Sequence, residues 1–209
     1  MNSTTVMIDW HTNCTLGGVV YPTRSRAPRR EVTTAEELLE GLTQQQHKLM
    51  NAVHEAGHAV AVLAAGGHLH RARLMPDDLD VDGAVEGCGL TDGRAYAAFA
   101  GAGERAADRW LRESGLWTPG RAVAVEIGAR GDRRELLKLN PHIGFGDDER
   151  QDYRIVHDLA DALLDQHWEA VTTVAAALMD RHHLDGATVA ALAGLPNGPH
   201  HHTGSEGTS

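Results

Sequence analysis

The sequence predicts one α+β domain, mainly α-helical and edged by a small sheet, because three of its features agree. Long proline-free runs carry apolar residues at helical spacing, as in 44–65 and 155–179. Ala, Leu and Val supply most of the apolar content while aromatics make up only 4 %, a composition suited to closely spaced helices. The stretch 68–76 alternates and then stops at a proline, which reads as a strand at a sheet edge. With 209 residues the chain can bury one proper core and leave residues for tails. The expected division is an N-terminal arm and lead helix over 1–42, the domain proper over 43–194, and a disordered Gly- and His-rich tail over 195–209.

The elements follow in order. Residues 1–32 form a polar lead with a short strand at Val6-Met7-Ile8 and a basic, proline-broken piece, 24–30, expected to be a solvated arm. Thr33-Thr34-Ala35-Glu36-Glu37 offers a threonine cap and first-turn acids to a lead helix, which continues through Leu38, Leu39 and Leu42. The next helix, 44–65, has apolar residues at Leu49, Val53, Val60 and Leu63 and a stop at Gly66-Gly67. Gly57 inside it costs about 1 kcal/mol relative to alanine, which implies a neighbour too close to admit a side chain. After the edge strand, 77–93 is acidic and glycine-rich, a loop or hairpin with a second short strand at Ala84-Val85-Glu86. Small residues at helical spacing over 96–111 should pack tightly on the 44–65 helix. Residues 112–143 combine an alternating Ala122-Val123-Ala124-Val125, an arginine-rich turn and a short helical run through Leu136, Leu137 and Leu139, serving as a lid or as plain packing. A long helix is expected to open around 144–148, with its stripe at Ile155, Val156, Leu159, Ala162 and Leu163, and to run on through His167 to Met179 before a short one over 186–193.

One helix carries chemistry. His54-Glu55-Ala56-Gly57-His58 reads H-E-x-x-H, and with 14 His in the chain such a pattern arises by chance roughly 0.06 times. Two histidines at i and i+4 stand one above the other on a helix, so both can reach one zinc ion. Glu55, one step round, is placed to take a proton from a zinc-activated water without being a ligand itself. A catalytic zinc normally has three protein ligands and an open position. The third is expected from Asp147, Asp148 or Asp152, all near the start of the long helix, and helical geometry does not choose among them. His68 and His70 are expected to be strand surface residues, and His200-His201-His202 to bind metal only adventitiously.

Composition narrows the partners. A formal charge of −10 with scattered arginines argues against nucleic acid or an anionic membrane. Cys14 and Cys88 are too few for a disulfide framework and suit reduced thiols. Neither a signal-peptide pattern over 1–20 nor an apolar run of membrane-spanning length is present, so a soluble, cytoplasmic protein is expected.

The motifs also resemble a family. His54-Glu55-Ala56-Gly57-His58-Ala59, the strand ending in Pro76, Ala102-Gly103-Glu104-Arg105-Ala106-Ala107-Asp108 and Gly144-Phe145-Gly146-Asp147-Asp148 are similar, in order and content, to the peptidase domain of FtsH-type zinc metalloproteases, over roughly 43–194. The resemblance implies a zincin-like fold, Zn2+ as cofactor, His54, His58 and Asp148 as its ligands, Glu55 as the catalytic base, and Asp108 as a carboxylate that orients a ligand histidine. It implies hydrolysis of peptide or amide bonds in a peptide or unfolded polypeptide substrate. The chain departs from that family in lacking membrane spans and an ATPase: its only lysines, Lys48 and Lys138, lie outside any G-K-[ST] phosphate loop. A folded substrate would therefore need a separate ATPase as partner. The alternatives are an amidase acting on a small peptide-like product and a non-catalytic zinc-binding interaction module.

Overall fold

Helix α1 (Gln44–Ala64) organises the chain, and local signals set both of its ends. Thr43 accepts from the Gln46 amide at 3.2 Å while the Gln46 side chain accepts from the Thr43 amide at 2.8 Å, a reciprocal cap. At the far end Gly66 takes the left-handed conformation, φ +76°, and the Gly66 and Gly67 amides close on Leu63 and Val62. The computed structural model describes residues 10–28, 31–74, 83–146 and 151–200.

The architecture is mixed α+β and mainly helical. A hairpin of β1 (His11–Leu16) and β2 (Val19–Thr23) comes first, and β3 (Glu31–Val32) pairs in parallel with β1. After a 3-10 turn (Ala35–Leu39) and α1 come β4 (His68–Leu74) and β5 (Gly83–Cys88), then α2 (Gly93–Glu113), α3 (Pro119–Gly128) and α4 (Arg130–Leu139). The short parallel pair β6 (Ile143–Gly144) and β7 (Gln151–Asp152) precedes the long α5 (Arg154–Arg181), followed by β8 (His183–Asp185) and α6 (Gly186–Ala193). No described helix is long and apolar enough to cross a membrane.

The main core lies where α1, α2 and α5 meet and where α1 rests on β4, with Val53, Val60, Leu63, Leu69, Leu164 and Leu178 among its buried residues. Small side chains set the helix spacing. A Cβ on Gly57 would lie 2.7 Å from the Ala102 carbonyl oxygen and 2.9 Å from the Ala106 Cβ, so α1 and α2 touch backbone to backbone, as Gly57 and the small residues of 96–111 led one to expect.

Three expectations are corrected, and one stretch without an assigned element is placed. Strand β4 is central rather than at the edge, because β8 returns after α5 to pair with Arg71, Ala72 and Arg73, giving the order β5-β4-β8. The lead segment is not a solvated arm in its described part: Cys14, Ala27, Val32, Leu38 and Leu39 share a buried cluster with Leu111, Val123 and Ile127, and the Arg24 amide donates to both oxygens of the buried Glu126. The alternating 122–125 stretch, for which no element was expected, lies in α3, which starts at the Thr118 cap and Pro119 and buries both alternating sets. The long helix begins at Arg154 rather than near 144, with a break at His167, φ −126°. The expected strand at Val6-Met7-Ile8 lies outside the described residues, as does the tail beyond 200, while 195–200 is docked on the fold.

Candidate metal centre

The helical spacing does what it promises: His54 and His58 project from one face of α1, their Nε2 atoms 3.1 Å apart. A third donor faces them from the first turn of α4. Asp132 Oδ2 lies 3.5 Å from His54 Nε2 and 3.4 Å from His58 Nε2, so one oxygen and two nitrogens mark a nearly regular triangle.

That triangle is repulsive unless something positive sits in it. His58 Nδ1 lies 2.8 Å from the Phe99 carbonyl oxygen, which only accepts, so Nδ1 carries the proton and Nε2 is left with its lone pair. Two remedies exist. One is a proton: burial pulls the His58 pKa down, but Asp132 and the nearby Glu55 more than reverse this and raise it to about 9. Burial likewise disfavours a charged Asp132, yet the two imidazoles hold its carboxyl well below the usual carboxylate range. The other remedy is a cation. Tetrahedral zinc with bonds near 2.0–2.1 Å spaces its ligands about 3.3 Å apart, close to the separations found.

The surroundings keep this space clear. A Cβ on Gly103 of α2 would meet the Nε2 atoms of both histidines, at 2.5 Å in the case of His54; only glycine leaves room there. Access is one-sided, with the side chains of His58, His54 and Asp132 exposed to 4 %, 20 % and 34 %, so a fourth position would open toward His54 and Asp132. Glu55 is 7 % exposed. Its carboxylate lies under the start of β5, where a Cβ on Gly83 would come within 2.5 Å of the Glu55 Cδ and Oε1 atoms. Among the described residues β5 is paired on one side only, by β4, so its open edge begins beside Glu55.

Asp132 is aimed by the residue after it. Arg133 is buried, donating to Glu104 Oε2 at 2.8 Å, Glu126 Oε2 at 2.9 Å and the Pro22 carbonyl at 2.9 Å. Glu104 also pairs with the buried His157, and although burial opposes its charge, Arg133 and His157 bring its pKa down to about 2. With Arg133 fixed inward, Asp132, roughly 100° round the helix, is turned to the histidines. Glu104 in turn follows Gly103 in the chain, so the same ionic cluster braces both walls of the site.

Of the residues expected from sequence, His54, Glu55 and His58 stand together. Asp147 and Asp148 lie outside the described residues. Asp152 is engaged elsewhere, accepting from Trp10 Nε1 at 3.0 Å and from the Arg154 amide at 2.8 Å. Asp108 accepts from Arg105, Arg112 and Trp117, while the orienting partner of His58 is a backbone carbonyl. The unexpected participant is Asp132. Its only sequence signal is an acid in the first turn of a helix amid arginines, which ordinarily signifies nothing more than a favourable end charge. No family model matches the chain, and no curated protein matches it in sequence.

Proposed function

We propose that the protein is a zinc-dependent peptidase that hydrolyses peptide or amide bonds. The observation that carries this reading is the convergence of His54 Nε2, His58 Nε2 and Asp132 Oδ2 over a glycine cradle, with Glu55 on the same helix. The resemblance of the 54–59 motif to FtsH-type, M41-like peptidases agrees with it, as does a zincin-like reading of α1 with its neighbouring sheet.

In this reading His54, His58 and Asp132 hold the ion. When bound, zinc supplies Lewis acidity, making water nucleophilic near neutral pH and polarising the scissile carbonyl. Glu55 accepts the proton released as water attacks and delivers it to the leaving nitrogen. The Phe99 carbonyl keeps His58 in the tautomer that presents Nε2. The open edge of β5 gives an extended polypeptide backbone hydrogen-bonding groups beside Glu55, favouring an unfolded chain or peptide as substrate in a cytoplasmic setting.

The test is hydrolysis of unfolded polypeptides, short peptides and small amides by zinc-loaded wild type and Glu55→Gln. Turnover should fall by about 100-fold or more in the variant with zinc retained. Equal rates would remove Glu55 from the chemistry. Cleavage of small amides alone would favour an amidase, and cleavage of nothing by the wild type a zinc-binding interaction module.

A further inference from the structure

A second group of imidazoles lies beyond the C-terminal end of α1. His68 and His70, at the start of β4, meet His200 from the chain's last described residues. All three ring pairs have centroids 4.9 Å apart, at interplanar angles of 63°, 82° and 68°. The rings are thus tilted round a common point rather than stacked, and one nitrogen from each falls within 4.8 Å of the others.

His200 is brought there by a seam of hydrogen bonds. The Leu69 amide donates to Asn197 Oδ1 at 2.7 Å, and Asn197 Nδ2 donates back to the Leu69 carbonyl at 2.9 Å. The Gly198 amide donates to the Gly67 carbonyl at 2.9 Å. His68 Nδ1 lies 2.7 Å from the Gly198 carbonyl oxygen; since that oxygen only accepts, Nδ1 is protonated and Nε2 presents its lone pair. A backbone carbonyl that fixes the tautomer is the usual support of a metal-binding histidine.

We infer that His68, His70 and His200 form a second site, for a borderline divalent transition ion such as zinc or nickel, which clasps the C-terminal segment to the sheet. Three neutral imidazoles and no carboxylate suit such ions and disfavour calcium or magnesium, which prefer oxygen donors. The ion bridges two parts of the chain separated by more than a hundred residues, so loading it fastens 195–200 against β4. This site shares no residue with His54, His58 and Asp132, and it stands whether or not the peptidase reading does.

The test uses the full chain, stripped with chelator and titrated calorimetrically with ZnCl2. Two ions per chain are expected for wild type. One is expected for His68→Ala/His70→Ala, one for His54→Ala/His58→Ala, and one when His200, His201 and His202 are all replaced by alanine. Hydrogen exchange gives an independent readout: zinc should slow exchange of the Leu69 and Gly198 amides in wild type and in His54→Ala/His58→Ala, but not in His68→Ala/His70→Ala. Two ions retained by His68→Ala/His70→Ala, or by the triple variant, would overturn the site. So would a wild type whose exchange at Leu69 and Gly198 ignores zinc.

Discussion

Gly103→Ala offers a test of the metal centre that touches no ligand. Its new Cβ would lie 2.5 Å from His54 Nε2, 2.7 Å from His54 Cδ2, and also against His58 Nε2. Ordinary contact needs about 3.5 Å, so the imidazoles would have to retreat by about 1 Å. Metal bonds tolerate about 0.2 Å, a fifth of that. The substitution should therefore abolish stoichiometric binding at this centre, with affinity falling by 100-fold or more. Alanine favours a helix over glycine by about 1 kcal/mol, so α2 itself is not weakened. The assay is zinc stoichiometry by calorimetry in the His68→Ala/His70→Ala background, with thermal unfolding run alongside. Gly131→Ala is the control: it neighbours Asp132, yet its Cβ would meet nothing within 4 Å. A folded Gly103→Ala that still binds one zinc with the parent's affinity would refute the cradle and the ligand geometry with it.

Other expectations follow from the same structure. In the His68→Ala/His70→Ala background Asp132→Ala should release the ion at the His54 and His58 centre while Asp148→Ala and Asp152→Ala keep it; the reverse for Asp148 would restore the assignment that the family resemblance implies. Arg133→Met leaves Glu104 and Glu126 buried without their shared cation, and urea unfolding should register a loss of about 3–5 kcal/mol; a loss below about 1 kcal/mol would mean that the cluster does not brace α4. Glu104, with a folded pKa of about 2 against an ordinary value near 4.3, contributes stability that is complete above the ordinary value and disappears as pH falls toward the folded one. Unfolding free energy should therefore drop through that acid window, and Glu104→Gln should flatten the drop; an unchanged slope would place the acid sensitivity elsewhere.

Much of this was legible in the chain because it is local. The H-E-x-x-H spacing, the Gly66 stop and the space demanded by Gly57 each depend on residues within a few positions, and each is found in the fold. What escaped depends on distant partners. The alternating 122–125 stretch suggested no element because Ala and Val suit helix and strand alike, and only Pro119 and the Thr118 cap decide for helix. The strand β4 looked like an edge because nothing near it announces that His183–Asp185 will return beside it. The approach of Asp132 to the two histidines was invisible for the same reason: its aim lies in Arg133, whose three partners come from residues 22, 104 and 126.

That last bond, from Arg133 to the Pro22 carbonyl, spans 111 positions of sequence and ties the aim of Asp132 to the first hairpin. A nascent chain carries both histidines long before α4 exists to face them. When α4 does emerge, its aim depends on a hairpin made near the beginning, so neither end of the polypeptide can fashion the pocket by itself. Ion uptake during refolding should accordingly require this long-range contact and not the formation of α1 alone. Occupancy would then report the completeness of the whole tertiary structure rather than the state of one helix.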